Sequence, residues 1–212
     1  MSLEVIILAA GKGTRMKSRL PKVLHPLAGQ PLILYSVQAA FAASGHTPVV
    51  VVGHEAADVQ AAVGEQARFV LQAEQVGTGH AVLQTREMLR GRAGEVIVIY
   101  GDMPLLRGET LIALHQAQQG SDRPFTMLTQ VTENPRGFGR IARGVDGAVS
   151  VIVEEADATA EQLAIREVNL GIYCFDADWL WSHLDMIPVS PKGEYYLTDL
   201  VAIAVGEGHT VA

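Results

Sequence analysis

The stretch of sequence that decides the fold is Val5-Ile6-Ile7-Leu8-Ala9-Ala10-Gly11-Lys12-Gly13-Thr14-Arg15-Met16. Its first four residues form an uninterrupted apolar run, which is typical of a strand covered on both faces. The remainder, residues 9–16, predicts a glycine-containing loop (the first loop) at the carboxyl end of that strand, where open α/β sheets bind ligands. Glycines let a backbone approach a ligand closely and turn its N–H groups toward phosphate oxygens. The first loop is therefore predicted to bind phosphate.

Strands and helices alternate through the first half of the chain. Short apolar runs predict strands at 49–52, 68–71 and 96–99, and longer amphipathic stretches predict helices at 31–44, 56–63, 80–90 and 109–119. Such βαβα alternation implies an α/β fold with a Rossmann-like, mostly parallel central sheet and helices on both faces.

The second half of the chain has a different pattern and predicts a smaller mixed α+β part. The expected elements are a strand at 125–131, a hairpin of 140–143 with 148–153, a strand at 168–175, a helix led by Asp176 and a last helix at 195–205. We expect a single domain over 1–212, with a nucleotide-binding half of about 1–120 merging into a second half of about 121–212.

Composition limits the class of protein. With 49% hydrophobic and 18% charged residues, the chain is too apolar for a disordered protein. Its net charge of −7 argues against a general nucleic-acid binder. A single cysteine, Cys174, favours a reducing compartment and is expected in the core. No apolar run suggests a membrane span and the first residues do not resemble a secretory leader, so a cytoplasmic protein is expected.

Positive charge is concentrated near the first loop. Five of the 16 basic residues lie within 11–22, and no Asp or Glu occurs from Val5 to His54. A polyphosphate is the ligand that such a segment favours. The pattern is not a Walker loop, and it is a poor dinucleotide fingerprint because Met16 stands at the third glycine and the first downstream acid is Glu55.

Two further groups follow predicted strands. Asp102 comes after the run that ends at Ile99, so its carboxylate can hold Mg²⁺ at the same sheet edge, although an aspartate that caps the next loop has the same pattern. Gln72 follows the strand at 68–71, and its amide can recognise the edge of a pyrimidine. Gly77 and Thr78 open a helix, where Thr78 is expected as the N-cap, a role compatible with ligand binding.

Several ordered motifs together resemble a known family. Leu8 to Met16 followed by Pro21-Lys22 resembles the signature of sugar-1-phosphate nucleotidyltransferases. The chain is more closely similar to the N-acetylglucosamine-1-phosphate uridyltransferases, the amino-terminal half of a bacterial bifunctional enzyme. The similar stretches are Pro21-Lys22-Val23-Leu24-His25, Gln72-Ala73-Glu74-Gln75-Val76-Gly77-Thr78-Gly79-His80-Ala81, Tyr100-Gly101-Asp102-Met103-Pro104-Leu105 and Gly193-Glu194-Tyr195-Tyr196-Leu197-Thr198-Asp199.

This resemblance implies Mg²⁺-dependent transfer of UMP from UTP to N-acetylglucosamine 1-phosphate. The products would be pyrophosphate and UDP-N-acetylglucosamine, which feeds peptidoglycan and other cell-envelope polysaccharides. It implies catalytic roles for Arg15 and Lys22, and Asp102 as metal ligand. The implied nucleotide-binding residues are Leu8, Ala9, Ala10, Gly11, Gly13, Thr14, Gln72, Gly77 and Thr78; the implied sugar-binding residues are Tyr100, Gly101, Gly137, Glu154 and Asn169. Leu170 stands where the family usually has Thr, beside the sugar pocket.

Two alternatives remain open from the sequence. One is another sugar-1-phosphate nucleotidyltransferase, such as a thymidylyl- or cytidylyltransferase, because Gln72 does not exclude these bases. The other is a nucleotide-binding domain with little turnover: the family's second metal ligand is an Asn that follows the matched region, and this chain has none after Asn169. We therefore expect a domain truncated at its carboxyl end, from a parent that forms homo-oligomers through an acetyltransferase domain absent here.

Overall fold

The first apolar run forms the central strand of the sheet. A computed structural model describes residues 2–11, 13, 16–53 and 55–211, and in it β1 spans Ser2–Leu8. Every residue of β1 after Ser2 is buried. Alternate side chains enter two separate cores, Ile6 and Leu8 on one face and Val5 and Ile7 on the other. The run is apolar throughout because both faces of the strand are covered.

The remaining strands follow in chain order: β2 Pro26–Leu27, β3 Gln30–Pro31, β4 Val49–Val52, β5 Arg68–Leu71, β6 Ala93–Tyr100, β7 Phe125–Val131, β8 Arg140–Arg143, β9 Val149–Val153 and β10 Glu167–Asp176. The helices are α1 Leu32–Ser44, α2 Ala56–Val63, α3 Thr78–Leu83, α4 Arg86–Leu89, α5 Gly108–Gln118, α6 Ala160–Leu163, α7 Ala177–His183 and α8 Asp199–Gly206.

The predicted α/β sheet is confirmed, with one addition. The order is β5-β4-β1-β6-β10-β8-β9, and β7 also pairs with β10. The pairs within β5-β4-β1-β6 are parallel, whereas β10 runs antiparallel to β6 and to its other neighbours. The second half of the chain thus extends the same sheet. Helices α1, α2 and α5 cover one face, and α3, α4, α7 and α8 cover the other.

Cys174 and Asp176 lie in the second half as expected. The Cys174 side chain is buried in β10, and burial raises the pKa of its thiol well above the usual range. The Asp176 carboxylate accepts a hydrogen bond of 2.8 Å from the Trp179 N–H and caps α7. No helix in the described part of the chain is long and apolar enough to cross a membrane.

The prediction of one helix over 80–90 was wrong, because the segment forms α3 and α4 with a break between them. Thr85 lies at the break and is fully buried. Its hydroxyl donates to the Val82 carbonyl at 2.7 Å, and its N–H bonds the same carbonyl at 3.0 Å. A threonine hydroxyl that bonds a preceding carbonyl competes with the α-helical pattern.

The predictions for the last helix and for Thr78 were also wrong, for a shared reason. Segments 76–79 and 195–197 bond to each other: the Tyr195 N–H donates to the Val76 carbonyl at 2.8 Å, and the Gly79 N–H donates to the Tyr195 carbonyl at 2.9 Å. The last helix therefore begins at Asp199. The Thr78 hydroxyl accepts from the Leu197 N–H at 2.9 Å, so Thr78 joins the two segments and Gly77 is the N-cap of α3.

The sheet core predicts a matched pair of stability changes. Val51 in β4 is fully buried, whereas Val145 in the β8–β9 turn is fully exposed. Val51→Ala removes two buried methyl groups and should lower the free energy of unfolding by about 2 kcal/mol. Val145→Ala should change it by less than about 0.5 kcal/mol. Urea unfolding followed by circular dichroism measures both, and equal losses would contradict the assignment of β4 to the core.

Candidate active site

The candidate site forms where the parallel strands end together. Leu8 at the end of β1 is level with Val51 in β4 and with Tyr100 in β6. The pairing continues past the strands, since the Ala9 N–H donates to the Val51 carbonyl at 2.9 Å and the Gly101 N–H donates to the Leu8 carbonyl at 3.0 Å. The first loop and the segment containing Asp102 therefore leave the sheet side by side.

An open cavity of about 850 Å³ lies at this edge, large enough for a nucleotide. It brings together the greater part of the residues predicted for nucleotide, metal and catalysis, together with one predicted sugar-binding residue. Those in the lining are Leu8, Ala9, Ala10, Gly11, Gly13, Lys22, Gln72, Gly77, Thr78, Tyr100 and Asp102. The predicted residues Arg15 and Thr14 lie outside the described part of the chain.

The lining also contains residues to which the sequence assigned no role: Met16, Val23, Gln75, Ala81, Glu194 and Tyr196. Glu194 and Tyr196 belong to one of the motifs that carry the family resemblance, and this was the one signal that marked them. They reach the cavity because the neighbouring segment 195–197 is bonded to 76–79, a contact between positions more than a hundred residues apart.

Lys22 and Asp102 form an ion pair inside the cavity. The Lys22 Nζ contacts the Asp102 Oδ2, and both side chains are partly exposed. Gly13 permits this arrangement: its φ is +59°, and a Cβ there would lie 2.7 Å from the Lys22 Cβ. The first loop can thus pack directly on the residue that carries the ammonium group. A cation and a carboxylate meet where the loop and β6 end.

Asp102 suits a metal ion that is shared with a bound phosphate. Among the described residues, no group of three or more His, Cys, Asp or Glu side chains is arranged to hold a metal. Mg²⁺ commonly takes one or two carboxylates, and its remaining ligands are water and substrate phosphates. A single carboxylate in the cavity lining fits that ligand set, because substrate phosphates and water would complete the coordination of the ion.

Tyr100 ends β6 and lines the cavity, and its ring packs closely against Gly171 in the second half of the chain. Burial raises the pKa of its phenol to about 12, with smaller contributions from the nearby carboxylates of Glu154 and Asp102. The hydroxyl is therefore a neutral donor at any ordinary pH. Burial also raises the pKa of Glu154, whose carboxylate accepts a 3.4 Å bond from the Thr198 hydroxyl.

The other predicted sugar-binding residues lie outside the cavity lining. The Asn169 amide is engaged within β10, accepting from the Gly171 N–H at 3.0 Å and donating to the Tyr173 hydroxyl at 2.7 Å. The Gly137 N–H donates to the Glu155 carboxylate at 2.9 Å. A Cβ on Gly101 would lie 3.2 Å from Val23 and 3.4 Å from Ala9, so this position is closely packed. The sugar-binding roles of these residues stay predictions.

The fold and the site together define the class, an α/β fold of the nucleotide-diphospho-sugar transferase type. Residues 5–162 match the model of the MobA-like NTP transferase domain. The chain therefore belongs to the MobA-like NTP transferase family.

Curated relatives agree with the resemblance drawn from the motifs, which is thereby confirmed. The chain is 50% identical over 209 residues to the bifunctional protein GlmU of Geobacter metallireducens, covering 97% of this chain and 44% of that protein. It is 46% identical over 208 residues to the bifunctional protein GlmU of Enterococcus faecalis, covering 98% and 45%. The chain thus spans less than half the length of these relatives.

A solved structure supports the fold independently. The crystal structure of UDP-glucose pyrophosphorylase complexed with UDP-glucose superposes with a TM-score of 0.75, covering 99% of this chain and 89% of that one. The two sequences are 19% identical, so this likeness concerns the fold alone.

The packing of Tyr100 predicts a contrast between two glycines. Gly171 and Gly91 both have a positive φ, but a Cβ on Gly171 would overlap the Tyr100 ring, whereas a Cβ on Gly91 would meet open space. Gly91→Ala should cost about 1 kcal/mol of unfolding free energy, from backbone strain alone. Gly171→Ala should cost roughly 3 kcal/mol, because the Tyr100 ring must also move.

Urea unfolding of both variants measures the difference in stability. Titration with UTP measures whether a displaced Tyr100 ring changes the affinity of the cavity. We expect weaker binding for Gly171→Ala and unchanged binding for Gly91→Ala. Equal stability losses, with binding preserved in both, would show that Tyr100 is not held in place by Gly171.

Proposed function

We propose that this chain catalyses uridylyl transfer, in which UTP and N-acetylglucosamine 1-phosphate give UDP-N-acetylglucosamine and pyrophosphate. The observation that carries the proposal is the Lys22–Asp102 ion pair, in a cavity lined also by the first loop and by Gln72. Its support from relatives is the identity of 45–50% to bifunctional GlmU proteins along nearly the whole chain.

The proposed reaction is an in-line displacement at the α-phosphorus of UTP. A phosphate oxygen of the sugar phosphate forms the new P–O bond, and the bond to pyrophosphate breaks with its electron pair on the leaving group. The attacking phosphate is ionised at neutral pH, so no general base is required. Catalysis then consists of positioning two anions that repel each other and neutralising charge on the leaving group.

The residues divide this work in the proposal. The Gly11 and Gly13 backbone would approach the triphosphate, and the Lys22 ammonium would neutralise charge on the phosphates, together with Arg15 as the family resemblance implies. Asp102 would hold Mg²⁺, which when bound supplies further neutralisation of phosphate charge. The Gln72 amide, 3% exposed at the cavity wall, would contact the uracil.

The proposal extends to the sugar and to the surroundings of the chain. Tyr100, Gly101, Gly137, Glu154 and Asn169 would form the sugar side, within a second half of about 121–212. The product would feed cell-envelope polysaccharide synthesis in the cytoplasm. In proteins of the relatives' full length, oligomers would form through the acetyltransferase part, and no nucleic acid or membrane would be a partner.

The proposed role of the ion pair predicts a loss of turnover with the fold retained. Asp102→Asn and Lys22→Met should each reduce turnover on the order of a hundredfold, because the first weakens the carboxylate that would hold Mg²⁺ and the second removes a cation that would contact the phosphates. Asp122→Asn, at an exposed loop position, is the matched control and should leave turnover unchanged. Release of pyrophosphate and formation of UDP-sugar, with thermal unfolding of each variant, are the measurements.

A substrate panel separates this proposal from its alternatives. UTP, CTP and dTTP are each combined with N-acetylglucosamine 1-phosphate or glucose 1-phosphate, with and without Mg²⁺. The proposal requires the highest kcat/KM for UTP with N-acetylglucosamine 1-phosphate. A preference for CTP or dTTP would indicate a different nucleotidyltransferase, and UTP binding without Mg²⁺-dependent product would indicate a domain that binds nucleotides and does not catalyse.

A further inference from the structure

The His80 imidazole lies between two glutamine amides and has no part in the proposed chemistry. Its Nδ1 is 3.1 Å from the Gln72 amide nitrogen, and its Nε2 is 3.0 Å from the Gln84 amide nitrogen. Gln72 is 3% exposed and lines the cavity. The imidazole is therefore placed to set the orientation of a side chain that lines the cavity.

The orientation of the Gln72 amide follows from its other partner. The amide nitrogen is 3.0 Å from the Gly77 carbonyl oxygen, which can only accept a hydrogen bond. The NH₂ group must therefore face Gly77 and, through its second hydrogen, the His80 Nδ1. No described residue donates to the opposite atom, the Gln72 Oε1. That oxygen is left to accept from a ligand.

This arrangement requires a neutral imidazole with its proton on Nε2. Gln84 lies on that side, with its amide nitrogen also 3.2 Å from the His80 carbonyl. The Gln84 side chain is only half-buried, so it can turn away from the His80 carbonyl, give its amide nitrogen to solvent and present its oxygen to the Nε2 proton. The buried Gln72 amide has no such freedom. The conflict between the two amides is thus settled in favour of Gln72.

His80 itself is held by the backbone around it. The Gly79 N–H donates to the Tyr195 carbonyl at 2.9 Å, and the Thr78 hydroxyl accepts from the Leu197 N–H at 2.9 Å. Two hydrogen bonds therefore hold the start of α3 against segment 195–197. The His80 ring lies 6.4 Å, centroid to centroid, from the Tyr195 ring. The backbone that carries the imidazole is therefore anchored beside Gln72.

We propose that His80 is a positioning residue that holds the Gln72 amide with its oxygen toward the cavity, so that the site selects a base with a ring imide N–H. Uracil and thymine carry a donor at N3, whereas cytosine carries an acceptor there. A fixed Oε1 is attracted to the first and repelled by the second. The inference rests on the proposed function, of which it names a determinant of base selection.

The test compares His80→Leu with His80→Asn in the intact chain. Leu removes the acceptor, whereas Asn supplies a carbonyl oxygen near the position of Nδ1. We expect His80→Leu to weaken UTP and 5-methyl-UTP binding about tenfold, with CTP binding unchanged or improved. KM for UTP should rise with kcat changed less than about twofold. His80→Asn should restore the preference, whereas His80→Gln, whose amide extends toward Nε2, should not.

Two controls separate positioning from structural loss. His46→Leu removes an exposed imidazole that precedes β4, at the end of that strand opposite to the cavity, and should leave all three affinities unchanged. Gln72→Leu and the double variant Gln72→Leu/His80→Leu should bind UTP equally, because His80 acts through Gln72. Additive losses, or equal weakening for UTP and CTP, would overturn the inference.

Calorimetric affinities, measured apart from product formation, keep the test of His80 distinct from the test of the proposed function. Wild-type chain that binds UTP but forms no UDP-sugar contradicts the proposed function, and the affinities still decide the role of His80. Wild-type turnover with unchanged affinities in His80→Leu contradicts the inference alone. If His80→Leu fails to fold, the contrast between His80→Asn and His80→Gln decides it, and a wild-type chain that binds no nucleotide overturns both.

Discussion

The rest of the structure depends on the parallel pairing of β1 between β4 and β6. Its register sets Leu8 level with Val51 and Tyr100, so three strands end at the same height. Side chains of β1 enter both cores, so a shift of one residue would place every side chain among different neighbours in two closely packed interiors. Because the register is fixed in this way, the first loop, Gln72 and Asp102 all start from one edge.

The second half closes the cavity through the bonds between 76–79 and 195–197. These bonds tie the start of α3 to a segment more than a hundred residues later in the chain, and they bring Glu194 and Tyr196 to the lining. They also decide where α8 begins. The same contacts therefore set the start of α8, the lining of the cavity and the position of His80. A change in any one of these is expected to alter the other two.

What the sequence could predict followed from local patterns. The strands 49–52, 68–71 and 125–131 have the predicted bounds because apolar runs mark buried strands, and site residues at strand ends were found for the same reason. The error at α8 comes from a long-range contact that local pattern does not encode, whereas the break between α3 and α4 comes from a local bond of the Thr85 hydroxyl that apolar periodicity does not reveal. The insertion of β10 beside β6 likewise depends on the tertiary arrangement.

Glycine shows this limit clearly. The described chain has glycines of positive φ in many turns, and at most of them a Cβ would meet open space, as at Gly45 and Gly91. At Gly13, Gly77 and Gly171 a Cβ would instead strike Lys22, Tyr195 and Tyr100 respectively. Both kinds satisfy the same backbone geometry, so the sequence does not distinguish them. Gly77 and Gly171 lie where segments far apart in the chain meet beside the cavity, and Gly13 lies where the first loop meets Lys22. Close approach between segments, more than freedom of the backbone, is therefore what glycine contributes to this site.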